Sequence, residues 1–207
     1  MSERILGDTV PLIRLWSSWS MLFMLAYGCP KKAPPADPVQ DLDNRVLERV
    51  TDAEQGLVEQ DVDYDEDGVT DIRNHFRERP DAPRLLLKKE QDLNFDGNFD
   101  IVTVFDDEGK LLREEIDSDY DGRFDWTDHY KRGLRVMSEY DTDNDGQANV
   151  FKYYVEGEDG NPRIDRKERD EDGDGQIDVW ERFSADGQVV RTGRDTDGDG
   201  KVDERME

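Results

Sequence analysis

Asp92-Leu93-Asn94-Phe95-Asp96-Gly97-Asn98-Phe99-Asp100-Ile101-Val102-Thr103-Val104-Phe105 holds two patterns back to back. Its first nine residues place oxygen-bearing side chains at positions 1, 3, 5 and 9 and a glycine at position 6. Alternate carboxylates on a tightly curved loop can converge on one point, and glycine permits the bend. The next five residues are β-branched or aromatic, the composition of a strand. A polar loop therefore delivers the chain into a β-strand.

Working outward, the same loop occurs six times, starting at Asp63, Asp92, Asp117, Asp141, Asp170 and Asp195, with spacings of 29, 25, 24, 29 and 25 residues. Such self-similarity marks a repeat architecture. The candidate ligands are Asp63, Asp65, Asp67 and Asp71 in the first loop and Asp92, Asn94, Asp96 and Asp100 in the second. Asp117, Asp119, Asp121 and Asp125 form the third set, and Asp141, Asp143, Asp145 and Asn149 the fourth. Asp170, Asp172, Asp174 and Asp178 follow, then Asp195, Asp197, Asp199 and Asp203. A single Asp-Gly is explained by a tight turn; six loops with oxygen ligands at four fixed positions are not. A hard cation takes six to eight oxygens, which points to Ca²⁺. Mg²⁺ prefers fewer protein ligands, and the absence of His and Cys from the loops disfavours zinc and redox metals.

These loops resemble known calcium loops. An EF-hand sets its loop between helices and ends it with Glu at position 12. Here that position is Asn74, Thr103, Asp128, Lys152, Glu181 or Met206, so only the fifth loop conforms. Strand-like flanks make the loops more similar to those of integrin-type (VCBS-like) β-propeller repeats and thrombospondin type 3 repeats. The resemblance covers the loops and the next few residues. Propeller repeats are much longer than this spacing, and the cysteines of thrombospondin repeats are missing, so neither fold carries over.

Between loops the residue after position 9 is Ile72, Ile101, Trp126, Val150 or Val179, and four further on stands Phe76, Phe105, Tyr130, Tyr154 or Phe183. Even offsets put these on one face of a strand. A glycine-containing turn follows, then a return strand such as Leu111–Ile116 or Leu134–Ser138. The expected fold is mainly β: a repetitive antiparallel meander with calcium loops at one end and glycine turns at the other, over residues 56–207. About eleven short strands are expected, with Gly56–Val62 as an opening half-repeat. A flat layer of that length is expected to twist, curl or bury one face under a helix. Charged residues along the return strands predict cross-strand ion pairs.

Upstream, residues 39–55 carry Leu42, Val46, Leu47, Val50 and Ala53 at helical spacing, which predicts a short amphipathic helix. Residues 1–28 hold Arg4 and Arg14 and then an apolar run of signal-peptide length, too short to span a bilayer. The run ends in Leu25-Ala26-Tyr27-Gly28-Cys29, which resembles the lipobox of bacterial lipoproteins. That resemblance implies cleavage before Cys29, lipidation of Cys29 and attachment to a membrane through the lipid. Residues 29–38 are proline-rich and read as an extended tether. Pro30, in place of the Asp that retains such lipoproteins at the inner membrane, points to the outer membrane of the bacterial envelope.

The chain of 207 residues is 39% charged, with a net charge of −25 and 34% hydrophobic residues. So acidic a body excludes nucleic acid as a partner and favours cations. Cys29 is the single cysteine, so no internal disulfide is available, and bound cations would relieve the repulsion instead. No nucleophile–base set or phosphate loop stands out, and the two histidines, His75 and His129, fall at equivalent strand positions, so no catalysis is expected. The sequence reading is a calcium-binding, lipid-anchored envelope protein with a structural or adhesive role toward an envelope protein or polysaccharide. The alternative is a calcium sensor or buffer.

Overall fold

A computed structural model describes residues 45–206. The signal segment, Cys29, the tether and residues 39–44 of the expected helix lie outside the described residues. Within them the chain forms one sheet of 13 strands, each pairing antiparallel with its sequence neighbours from β1 to β13. The strands are β1 (Val46–Asp52), β2 (Leu57–Val62), β3 (Ile72–Arg79), β4 (Ala82–Gln91), β5 (Ile101–Phe105), β6 (Leu111–Ile116) and β7 (Trp126–Lys131). Then come β8 (Leu134–Tyr140), β9 (Val150–Glu156), β10 (Pro162–Arg169), β11 (Val179–Phe183), β12 (Val189–Arg194) and β13 (Glu204–Met206). The six Asp loops all connect an even strand to the next odd one, so all lie along one end of the sheet. The short turns lie along the other.

One expectation is overturned. Residues 46–52 are a strand, not part of a helix. The spacing of four between Val46 and Val50 suits one face of a helix, but it also suits one face of a strand. Pairing decides: Val46 faces Val62 and Val50 faces Val58, and β1 occupies hydrogen-bonding groups that β2 would otherwise expose. Asp52 shapes the turn, its Oδ1 accepting from the backbone N–H of Glu54 (2.9 Å) and Gln55 (3.0 Å). The opening half-repeat is thus a full hairpin. With the added β13 it raises the expected eleven strands to thirteen.

The register sorts the side chains. On the first face, Val62, Ile72, Gln91, Ile101, Ile116, Trp126, Tyr140 and Val150 stand opposite one another across successive strands. Trp126 and Tyr140 stack, with centroids 5.3 Å apart. Two residues further from the loops is a polar row. There Asp128 takes hydrogen bonds from Ser138 and from Trp126 Nε1 (2.9 Å), and Arg135 Nε lies 3.1 Å from its Oδ2. The second face carries the expected ion pairs. Across strands, Arg73 Nε donates to Asp61 Oδ1 (2.7 Å); within a strand, Lys88 Nζ donates to Glu90 Oε1 (2.6 Å) and Arg113 lies 3.2 Å from Glu115. His75 and His129 join this face beside Glu90 (2.7 Å) and Glu139 (3.2 Å).

A single layer buries little. Among the described residues only Val58, Leu85, Val102 and Val179 are fully buried hydrophobics, against seven buried aspartates. Five of those aspartates (Asp71, Asp92, Asp100, Asp117 and Asp170) belong to the loops. Among the described residues the most enclosed part is therefore as much carboxylate as hydrocarbon. Carboxylates in such positions must be satisfied by hydrogen bonds or by a cation.

Candidate metal centre

Each loop is built by the same backbone-to-carboxylate hydrogen bonds. The position 1 aspartate accepts from two N–H groups: its Oδ1 from position 4 and its Oδ2 from the glycine at position 6. In the second loop Asp92 does so from Phe95 (2.7 Å) and Gly97 (2.7 Å). Asp117, Asp141 and Asp170 repeat both bonds at 2.7 Å. The position 5 carboxylate caps the N–H of position 7, as Asp67 does for Val69 (2.7 Å) and Asp174 for Gln176 (2.7 Å). Position 9 closes the loop by accepting from the N–H of position 2, as in Leu93 to Asp100 Oδ2 (2.6 Å) and Glu171 to Asp178 Oδ2 (2.6 Å). These bonds hold the carboxylates on the inside of the curve.

The curve needs left-handed backbone at two places. Gly97 at position 6 has φ 90°, a conformation that side chains rarely adopt. Position 4 is also left-handed, at φ 62° for Phe95 and 64° for Tyr120, but glycine occupies it only in the last two loops, as Gly173 and Gly198. Four loops therefore hold a non-glycine residue in a strained conformation, which the two bonds to the position 1 carboxylate offset.

Neighbouring loops are joined directly. The N–H of each position 1 donates to the carbonyl of position 9 in the loop before: Asp92 to Asp71 (2.7 Å), Asp117 to Asp100 (2.8 Å), Asp141 to Asp125 (2.8 Å), Asp170 to Asn149 (3.0 Å) and Asp195 to Asp178 (2.9 Å). The six loops thus form a continuous row.

Five of the loops gather three carboxylates whose ligand atoms lie within 4.8 Å of one another. In the first, third and fifth the triads are Asp63/Asp65/Asp71, Asp117/Asp119/Asp125 and Asp170/Asp172/Asp178, from positions 1, 3 and 9. In the fourth and sixth they are Asp141/Asp143/Asp145 and Asp195/Asp197/Asp199, from positions 1, 3 and 5. Each triad can hold a metal ion. The remaining expected ligands stand beside these triads. Asp67, Asp121 and Asp174 cap position 7, while Asn149 and Asp203 close their loops through Thr142 (3.0 Å) and Thr196 (3.0 Å). The second loop differs because Asn94 replaces a carboxylate and its Nδ2 donates to Asp96 Oδ2 (3.0 Å).

The electrostatics fit a cation site. Asp65 is held above the ordinary Asp range by loss of water within the loop, reinforced by the carboxylates of Asp67, Asp71 and Asp63. Asp119 is raised in the same way, with Asp121 and Asp125 as its nearest like charges. A divalent ion at the centre removes that cost. Elsewhere the loop supplies its own relief. Asp121 is lowered by Arg123, which donates to it from Nη2 (2.8 Å), and by Asn144, which reaches across from the next loop (3.0 Å). Asp195 loses water too, but the N–H groups of Gly198 and Gly200 hold it below the ordinary range.

Three features escaped the sequence reading. Position 9 acts as a clasp, position 4 is left-handed, and a hydroxyl at position 2 reinforces the clasp. Ser118 Oγ donates to Asp125 (2.6 Å), and Thr142 and Thr196 make the same contact at 2.9 Å. The recurrence of Ser or Thr at position 2 was the available signal for the last. No protein-family model matches the chain, and no curated protein matches it.

Proposed function

We propose that the chain is a calcium-stabilised, lipid-anchored protein of the bacterial cell envelope, serving as a structural and interaction platform. The observation that carries this reading is the row of joined loops, with carboxylate triads spaced along one end of a sheet that buries almost no hydrocarbon. Oxygen-only ligands favour Ca²⁺ over zinc or copper, and the flexible, carboxylate-rich loops favour Ca²⁺ over Mg²⁺. Extracellular modules bind Ca²⁺ at roughly 0.1–1 mM, a range in which these sites fill outside the cytoplasm. Six divalent ions would cancel about half of the net charge of −25 and relieve the repulsion along the loop end.

The lipobox-like Leu25–Cys29 and the proline-rich residues 29–38 support an anchored body held off the membrane on a tether. Calorimetric titration tests the first half: Ca²⁺ is expected to bind at several sites per chain, with Mg²⁺ at least tenfold weaker, and equal affinities would refute it. Metabolic labelling with a tagged fatty acid tests the second. The label is expected on the native chain and absent from Cys29→Ser; labelling that survives the substitution refutes the anchor.

A further inference from the structure

The six loops share a backbone but not a surface. At positions 2, 4 and 7 the first three loops carry Tyr64, Val69, Leu93, Phe95 and Tyr120, all exposed. The same positions of the last three loops hold no large hydrophobic residue, only Thr, Glu, Asn, Gly, Gln and Lys. The five apolar side chains sit on loops that lie side by side, joined from Asp92 to Asp71 and from Asp117 to Asp100. Val69 Cγ1 stands 3.7 Å from where a Cβ on Gly97 would lie, so the first loop abuts the second. Two of the five also strain the backbone. Phe95 at φ 62° and Tyr120 at φ 64° hold a left-handed conformation that glycine takes without strain in the fifth and sixth loops. An apolar side chain kept in water and under strain, where the repeat elsewhere uses glycine, is the mark of a functional surface.

The chemistry of this surface fits a phospholipid layer. Phe and Leu side chains enter the boundary between headgroups and acyl chains, and Tyr sits at headgroup level with its hydroxyl in water. The triads Asp63/Asp65/Asp71 and Asp117/Asp119/Asp125 flank the second loop. Bare, these carboxylates hold water and repel lipid phosphate. A Ca²⁺ in each triad offsets that charge and can take a phosphate oxygen as a further ligand. The path of the chain agrees. The described residues begin at Arg45, whose carbonyl accepts from the Asp63 N–H (3.0 Å) and whose Nη1 donates to the Tyr64 carbonyl (3.2 Å). Strand β1 therefore starts at the loop end, beside the first loop. Residues 30–44 span at most roughly 50 Å when fully extended, so on the anchored reading a lipid on Cys29 keeps this end of the sheet near the membrane.

We propose that the first three loops form a calcium-gated membrane-docking surface, their apolar tips entering a zwitterionic phospholipid layer while loop-bound Ca²⁺ meets the lipid phosphates. The proposal deepens the calcium reading of the loops and rests on it; calcium would draw the tethered body down onto the membrane. Its experiment is photo-crosslinking of the full chain on phosphatidylcholine vesicles that contain a diazirine-bearing lipid. Calorimetry first records how much Ca²⁺ the same sample binds. In excess Ca²⁺, lipid adducts are expected on the peptides holding Leu93, Phe95 and Tyr120 and not on the last three loops. Excess chelator should reduce them about tenfold. Phe95→Gly combined with Tyr120→Gly should also reduce them about tenfold, since much of the inserted apolar area is gone. That double variant should leave the melting temperature without vesicles unchanged or raised, because glycine relieves the left-handed strain. Adducts spread equally over all six loops, adducts that survive chelator, or their absence from the first three loops overturns the proposal. So does a lower melting temperature in the double variant, which would make the two aromatic side chains structural. Calcium-dependent dimers without lipid adducts would assign the surface to a second copy and overturn it too. Calcium binding recorded alongside absent adducts leaves the cation sites standing, whereas no calcium binding removes both readings.

Discussion

The two ends of the sheet are built on different terms. At the loop end, every hairpin (β2–β3, β4–β5, β6–β7, β8–β9, β10–β11 and β12–β13) runs in unbroken register. At the turn end, every hairpin carries at least one register shift, such as those between Val104 and Phe105 and between His129 and Tyr130. The loops share one length and one set of hydrogen bonds, whereas the turns vary from the Arg132-Gly133 pair to the longer Asp106–Lys110. Bulges near the turns absorb those differences. The loop end thus sets the register and the turn end accommodates what is left, so a cation held in a loop would act where the fold is specified.

The contrast can be broken most severely by length. One extra residue between Asp121 and Gly122 is expected to lower the melting temperature by about 10 °C and to abolish cation binding in that loop, because it spoils both the ligand set and the register. The same insertion after Glu108 should shift melting by no more than about 3 °C. Equal effects at the two ends would remove the distinction.

Single carboxylates come next. Asp100 is 1% exposed and closes its loop; Asp100→Ala should cost about 2–3 kcal/mol in denaturant unfolding, since it strands the Leu93 N–H. Asp106 accepts from Glu108 and Lys110 at the turn end, and its removal should cost about 1 kcal/mol or less.

Asp119 sharpens the comparison by sign. Without a cation its charge opposes folding, so Asp119→Asn should raise the melting temperature in chelator and lower it in excess Ca²⁺. The pH dependence follows. Asp65 and Asp119 are raised in the folded state, so their penalty is present above their folded pKa and vanishes as pH falls through it. Asp141, Asp195 and Asp203 are lowered, so their contribution is present above the unfolded value of about 3.9 and is lost as pH falls below it. Chelated protein should therefore gain stability on mild acidification and lose it below about pH 4. Calcium-loaded protein should only lose, as protons displace the ion.

The smallest effect is conformational. Tyr120→Gly at φ 64° should stabilise by up to about 1 kcal/mol, and Gly173→Ala at φ 77° should destabilise by a similar amount.

Much of this was legible in the sequence because the repeat shows each position several times. The six loops, their placement at one end, and the shared face of Ile72 and Phe76 all followed from spacing. Val46–Asp52 misled because its apolar residues fit either period, and only the need of β2 for a partner on its open side favours the strand. The joining of loops through position 1 N–H groups was not legible, since it depends on backbone groups that every residue carries.

The central claim is that cations in the loops hold the sheet together, and melting of one sample through three conditions tests it most directly. The protein is unfolded by heat in excess Ca²⁺, again after excess chelator, and again after Ca²⁺ is restored. Each filled site stabilises by about 2.7 kcal/mol at a hundredfold excess over its dissociation constant, so the chelated sample should melt more than about 10 °C lower. The restored sample should recover its first value. Three superimposable melting curves would contradict the account.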